Sequence, residues 1–284
     1  MKQNVFLWFI GLVLLAGCRD KELDMTLMQK TLYDGATMNE ITVEDAWSVT
    51  FRLDTVRSYV ELEYSAFLEE YLLVKQEGAS LFLGLTNSLY NLPGNTVMHA
   101  IVHTSAINEL SLSDAVSAAF GGGTFPETAL VLEMSDAATL RGGYFKGTAD
   151  VRMSDASTCV EFYFEGTTCQ VELDEASVFK CSLNVSDDLT LTIKDASRLT
   201  NYWAEINQAH VEVTEGSYLN MATSFVNRMQ MVVNSASEAT VNVVESLEGS
   251  VLNASKLYYS GNPTLNVDCD DTSLLQPIEY PNPD

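Results

Sequence analysis

One short pattern returns along the second half of this chain and leaves few folds open. It runs apolar, polar, acidic or polar, small, and its copies are Leu112-Ser113-Asp114-Ala115, Met134-Ser135-Asp136-Ala137, Met153-Ser154-Asp155-Ala156, Leu173-Asp174-Glu175-Ala176, Ile193-Lys194-Asp195-Ala196, Val213-Thr214-Glu215-Gly216, Val233-Asn234-Ser235-Ala236 and Leu252-Asn253-Ala254. The small residues 115, 137, 156, 176, 196, 216, 236 and 254 are spaced 22, 19, 20, 20, 20, 20 and 18 apart. A fixed period of this length is the mark of a solenoid.

Within each copy the apolar positions alternate with polar ones, as in Leu189/Leu191/Ile193, Ala209/Val211/Val213 and Met229/Met231/Val233. Leu130/Leu132/Met134 and Ala149/Val151/Met153 repeat the pattern earlier, and period two means strand. Three residues past each small position stands another inward candidate: Leu140, Cys159, Phe179, Leu199, Leu219, Ala239 and Leu257. A coil of this length cannot bury its apolar set alone, so coils must stack at strand spacing, ~4.8 Å. Parallel strands joined by crossovers favour the right hand. The expected fold is therefore all-β, a right-handed parallel β-helix with about 20 residues per coil. A leucine-rich repeat has a similar period, but its asparagine ladder and Leu-x-x-Leu-x-Leu pattern are missing.

Residues 39–112 lack the tight register yet read as strands over Ile41–Val43, Trp47–Leu53, Tyr59–Tyr64, Leu72–Lys75, Leu81–Leu85 and Val97–His103. Breaks at Gly78, Asn87-Ser88 and Pro93-Gly94-Asn95 separate them. This stretch is expected to cap the solenoid, because an open end exposes strand edges and core. Asn262-Pro263 and the Asp-rich tail are expected to stop stacking after Asp268. The resulting division is a signal segment 1–17, a tether 18–38, one domain over 39–268 with its cap in 39–112 and regular coils in 113–268, and a tail 269–284.

The N-terminus gives an address. Lys2 precedes an apolar run, Val5 to Ala16, too short to cross a bilayer as a helix. The run ends in Leu15-Ala16-Gly17-Cys18, similar to the lipobox of bacterial lipoproteins, in which the cysteine thiol takes a diacylglyceryl group. Cys18 is thus the expected lipid attachment, with an ordinary signal peptide and a chance cysteine as the plainer alternative. The membrane is the expected partner through that lipid, and the expected location is the outer membrane, facing the periplasm or the cell surface.

Charge excludes some partners. The chain has 15 basic and 39 acidic side chains, and cleavage before Cys18 leaves 14 against 39, a charge of −25. Nucleic acid and anionic lipid surfaces both need clustered Lys and Arg and are unlikely partners. At the repeated corner Asp114, Asp136, Asp155, Glu175, Asp195 and Glu215 form one acidic column, expected either to attract divalent cations or protons or to splay into solvent. Beside it runs a hydroxyl column, Ser117, Ser157, Ser177, Ser197, Ser217, Ser237 and Ser255, with Ala138 as the exception, read as structural because no histidine accompanies it.

No residue set commits the chain to a reaction or a cofactor. His99 and His103 share a strand face and could approach a metal with Glu109, but no zinc spacing supports them, and half-buried strand histidines are the plainer reading. Gly121-Gly122-Gly123 is a turn and no phosphate loop. Asp187-Asp188 and Tyr202-Trp203 are the candidate seats of a glycan contact, although Trp203 could equally occupy a coil corner. β-Helices also serve polysaccharide lyases and hydrolases, an analogy of fold alone. The remaining cysteines, Cys159, Cys169, Cys181 and Cys269, allow three disulfide pairings, and buried free thiols are the favoured reading.

On these residues the chain from about Asn39 to Asp268 resembles the putative auto-transporter adhesin family with a head GIN domain, a group of bacterial cell-envelope proteins. The resemblance rests on Ile41-Thr42-Val43-Glu44-Asp45-Ala46, on the Ser-x-Ala-Ser corners, and most specifically on the closing Ala254-Ser255-Lys256-Leu257-Tyr258-Tyr259-Ser260-Gly261-Asn262-Pro263. The chain departs from the family by placing Asp or Glu where Gly is common in the corner. The resemblance implies a β-helix with an adhesin label, and the expected function is a binding or adhesion module for a glycan or protein at the cell surface. A structural scaffold is the rival reading, and a glycan-active enzyme a third.

Overall fold

The structure, a computed structural model, describes residues 23–86 and 92–279. Cys18, the signal segment and the Asn87-Ser88 break lie outside the described residues. The fold is a parallel β-solenoid, as the repeat requires. Residues 158–173 pair in parallel with 178–193 in three stretches: 158–159 on 178–179, 162–166 on 181–185, and 168–173 on 188–193. Register shifts separate the stretches. Each coil therefore has three sides, and the acidic-Ala corner closes it.

The corner has a specific backbone. In nine corners from Asp45-Ala46 to Asn253-Ala254 two consecutive residues have positive φ, for example 51° and 61° at Asp195 and Ala196. That is the arrangement of a type I′ turn, which favours Asn or Asp followed by Gly. Only one corner here, Glu215-Gly216, has the glycine. Alanine in this region costs roughly 1–2 kcal/mol. The cost is offset by a ladder in which, in every corner but the last, the Ala or Gly N–H donates to the carbonyl of the acidic or polar residue in the next corner at 2.8–3.0 Å, as from Ala156 to Glu175 and from Ala196 to Glu215; Ala254 donates to Thr272 Oγ1 at 3.1 Å instead.

Inward columns fill the axis. The period-two sets read from the sequence are all buried, and so is the set three residues past each corner. Phe51, Phe120, Phe125, Phe145, Phe162 and Phe179 make successive ring contacts with centroids 5.2–5.5 Å apart. The hydroxyl column needs one correction. Ser157 to Ser255 are buried, and Ser197, Ser237 and Ser255 Oγ accept the N–H of Ser177, Ser217 and Ser237 at 3.2–3.3 Å. Ser117, however, is exposed and starts a strand; Val116 takes its place in the column, with Trp47 in the coil before. The pattern Asp114-Ala115-Val116 carries no serine in that position, and the sequence reading slipped by one to find one.

The first part of the chain is arranged differently. Its strands are β1 (Leu27–Leu32), β2 (Glu40–Val43), β3 (Ser48–Leu53), β4 (Tyr59–Ser65), β5 (Leu72–Glu77), β6 (Ser80–Leu85), β7 (Met98–Thr104), β8 (Glu109–Leu112) and β9 (Ser117–Phe120). β2 lies in parallel between β6 and β8, and β3 between β7 and β9. The hairpin β5–β6 and the antiparallel pairs β1–β4 and β4–β7 close this end. The corner Asp45-Ala46 stacks directly on Asp114-Ala115, the Ala46 N–H donating to the Asp114 carbonyl at 2.8 Å.

Two boundaries differ from expectation. The tether was drawn to residue 38, yet β1 pairs along β4 within it. Its side chains are almost all exposed, so an edge strand like this leaves no burial period in the sequence to read. At the other end stacking continues past Asp268: Leu274–Pro277 pairs in parallel with 256–259. Pro263 falls between strands and Pro277 ends an edge strand, where a missing N–H costs no ladder bond. Asp270 seals the last corner with its side chain. Its carboxylate accepts the Asn253 N–H at 2.7 Å, and that bond, with those from Ser273 and Thr272, holds its pKa down to about 2.

Candidate functional site

The acidic column lies along one exposed edge, as its spacing requires. Ser135 and Ser154 donate to the carboxylates of Asp136 and Asp155 at 2.8 Å. Proximity acts along this edge: the Asp155 carboxylate raises the pKa of Glu175, and Asp174, beside the column, raises that of Asp195. Lys194 bridges Glu172 and Asp174 at 3.2 and 3.1 Å. Among the described residues no group of three or more His, Cys, Asp or Glu is arranged to hold a metal.

His99, His103 and Glu109 do not converge. His103 is buried against Tyr59, the rings stacked at 4.0 Å, with Asp54 at 3.9 Å and Glu61 at 3.6 Å. Glu109 belongs to β8, which pairs with β2 on another side of the coil, so it is not part of that group. Cys159, Cys169 and Cys181 are buried free thiols; burial alone raises Cys159, and burial is the main cause raising Cys169 to about 12 and Cys181 well above its usual value. Cys269 is a free, exposed thiol.

The two glycan candidates separate as well. Asp188 is tied to His210, 3.5 Å away on the neighbouring coil, whose ring also meets Gln208 at 2.7 Å and Gln230 at 3.1 Å. Tyr202 and Trp203 form an outward bend between strands Arg198–Asn201 and Glu205–Val213. Their side chains are 51% and 52% exposed. The bend is held from inside by Asn201, a fully buried polar residue at an inward position. Its Oδ1 accepts the Leu183 N–H at 2.9 Å and its Nδ2 donates to Ser224 Oγ at 3.1 Å. The backbone on either side stays in the ladder, Tyr202 N–H to the Cys181 carbonyl and Phe225 N–H to the Ala204 carbonyl, both 2.8 Å. A satisfied buried network of this kind fixes one conformation, so Trp203 stands on a rigid base.

Trp203 borders a groove of about 1020 Å³ along the second corner of the coils. Its floor includes Gly147 and Gly166, where a Cβ on Gly166 would stand 2.1 Å from the Gly147 carbonyl oxygen and glycine is required. Phe225, 40% exposed, lines the groove one coil beyond Trp203. Asn207 and Asn227, further along the same two coils, also line the groove, their side-chain amides in contact at 3.5 Å. At one end Lys146 pairs with Glu165 at 3.2 Å, and the Tyr144 hydroxyl followed by that ammonium holds the Glu165 carboxyl below the ordinary range. Sequence reading missed Phe225, Asn207 and Asn227; the 20-residue spacing of the two asparagines on outward positions was the available signal.

A family model described as "Putative auto-transporter adhesin, head GIN domain" matches residues 37–263. The chain belongs to this family. The GIN-domain family therefore supplies a coarse function, adhesion, and a coarse location, the cell surface or envelope. Similar solved structures agree on the fold. A "putative lipid binding protein" from Parabacteroides distasonis superposes with a TM-score of 0.66 at 13% identity, covering 90% of this chain and 98% of that one. A "putative adhesin" from Parabacteroides merdae gives 0.58 at 11%, covering 89% and 96%. A second "putative adhesin" from P. distasonis gives 0.61 at 10%, covering 90% and 98%. No curated protein matches the sequence. Among the described residues of this GIN-domain chain no helix is long and apolar enough to cross a membrane.

Proposed function

We propose that this GIN-domain protein is a lipid-tethered binding module of the outer membrane, with no catalytic role, that presents its lateral groove to an extended surface ligand. The acyl chains on Cys18 supply the anchor, residues up to β1 form a short tether, and the solenoid is a rigid arm. The observation that carries this reading is the placement of Trp203 and Phe225, two exposed aromatic side chains in successive coils, at one concave groove that two asparagine amides also line. Exposed apolar groups gathered at a concavity rimmed by polar groups mark binding sites. The stacked phenylalanines fill the axis of the first half of the solenoid, so an acyl chain has no room there, and the lipid-binding name stays with the P. distasonis protein.

The test has two arms. Cys18→Ala is expected to release the chain from the membrane fraction, because the acyl chains supply the anchoring energy. Purified Trp203→Ala, with an unchanged melting temperature, is expected to lose attachment to bacterial or host cells that the parent protein binds. Retention of Cys18→Ala in membranes removes the lipid anchor from the proposal, and equal attachment of Trp203→Ala removes the groove.

A further inference from the structure

We infer that the groove takes an uncharged glycan chain lying along the solenoid axis, with one sugar unit against each coil. The inference rests on the reading of the groove as the ligand site and names the ligand class. A pyranose has a face of C–H bonds and a rim of hydroxyls. It needs a flat apolar surface beside short, fixed donors and acceptors. Trp203 and Phe225 offer the first, and Asn207 and Asn227 the second, each amide able both to donate and to accept.

The amides of the groove repeat with the coils. Glu205 and Phe225 are paired residues of neighbouring coils, as are Gln208 and Arg228 immediately after the two asparagines. The two asparagines thus stand in register, while Phe225 stacks on Glu205 and Trp203 stands two residues earlier on the bend, so the two rings flank the groove at offset positions. Coils follow one another at strand spacing, ~4.8 Å, close to the length of one sugar unit in an extended chain. An axial chain therefore meets an amide at each step, with one ring of the groove within reach of each sugar unit.

Charge selects among glycans. The only cationic side chain lining the groove, Lys146, is held by Glu165, and Glu205 adds a further carboxylate. The chain as a whole carries −24. Uronic, sialylated or sulfated polymers would meet like charge with no basic partner, which disfavours them. An extended peptide is disfavoured for another reason. It would bind by adding a strand, yet the backbone at this corner is already used between coils: the Phe225 N–H bonds the Ala204 carbonyl, and the Glu205 N–H bonds Asn184 Oδ1 at 2.9 Å.

The experiment measures binding of the purified chain to immobilised neutral polysaccharides (a β-glucan, a mannan and an N-acetylhexosamine polymer), to polygalacturonate and heparan sulfate, and to a random peptide library. At least one neutral polymer is expected to bind and the two anionic ones are not. Trp203→Ala and Phe225→Ala are each expected to weaken that binding about tenfold, with Trp203→Phe restoring most of it. Asn207→Ala should weaken it with no change in melting temperature. Binding of the anionic polymers as tightly as the neutral ones, or of none of the polysaccharides, overturns the inference. If cells or peptides are still bound in a Trp203-dependent way, the groove reading survives that failure. If Trp203→Ala changes no binding at all, both fall together.

Discussion

From Thr124 to Pro277 each strand stacks on the strand one coil earlier in the chain, whereas in the cap β2 and β3 find both of their parallel neighbours later in the sequence. Cys159 meets Phe179, twenty residues on; Ile41 meets both Leu81 and Leu110. In the regular coils the partner of any strand is the nearest copy of itself, so stability is approximately a sum of similar coil and interface contributions. In the cap β2 and β3 are enclosed only after the chain has travelled out through β4, β5 and β6 and returned in β7. That enclosure pays loop-closure entropy before its contacts form. The difference teaches that damage in a coil should stay local, while damage where cap and first coil meet should spread.

The largest expected effect tests this directly. Leu191→Asp places a carboxylate in the sealed axis, at a cost of about 4–7 kcal/mol, and Thr192→Asp, one residue along and facing outward, should cost under about 0.5 kcal/mol. Hydrogen exchange should show Leu191→Asp opening its own and adjacent coils while the cap stays protected. Trp47 is fully buried below the β6–β7 layer, and Trp47→Ala, costing about 3–5 kcal/mol, should expose β1, β4 and β7 together. Loss of cap protection in Leu191→Asp, or its retention in Trp47→Ala, breaks the comparison.

A smaller effect sharpens it at the corners. Ala196→Gly relieves a left-handed alanine and is expected to stabilise the chain by about 0.5–1 kcal/mol in denaturant melts, after glycine's own entropic cost. Gly216→Ala should lose a similar amount: φ is 74°, and a Cβ there meets nothing within 4 Å, so backbone strain is the whole effect. A neutral Gly216→Ala would show that the ladder between corners absorbs the strain.

The smallest concerns the acidic edge. The folded chain raises the pKa of Glu175 through its neighbour Asp155, so the folded state holds that proton more tightly than the unfolded one. The stabilising contribution is complete at acid pH and is lost as pH rises through the folded value. Glu175→Gln should therefore melt slightly higher than the parent near neutral pH, and the gap should close below the ordinary carboxylate range. A gap that is constant with pH would mean the two carboxylates do not interact.

The legibility of the molecule follows the same division. Leu189, Leu191 and Ile193 could be read as inward because an inward column must repeat at both the strand period and the coil period, two constraints visible in one sequence. Ser117 was misread because only the coil period was used and the three-residue corner was not aligned. Trp203 could be noticed as an aromatic but not placed, since its exposure depends on Asn201 being drawn inward to Leu183 and Ser224, contacts 18 and 23 residues away. Phe225 was passed over because a single aromatic on an outward position carries no period.

The amino-acid sequence by itself determined the coil length, the inward columns and the acidic corner, because stacked identical units force each residue to resemble the one a coil away. Tertiary structure alone decided that β2 lies between β6 and β8, that an exposed strand inside the supposed tether covers β4, and that Trp203, Phe225 and two asparagines share one groove. The apolar strands of the cap are alike in composition, and nothing local ranks one pairing above another. The choice is made by which arrangement closes the end of the core with its backbone groups paired, a property of the whole assembly of strands.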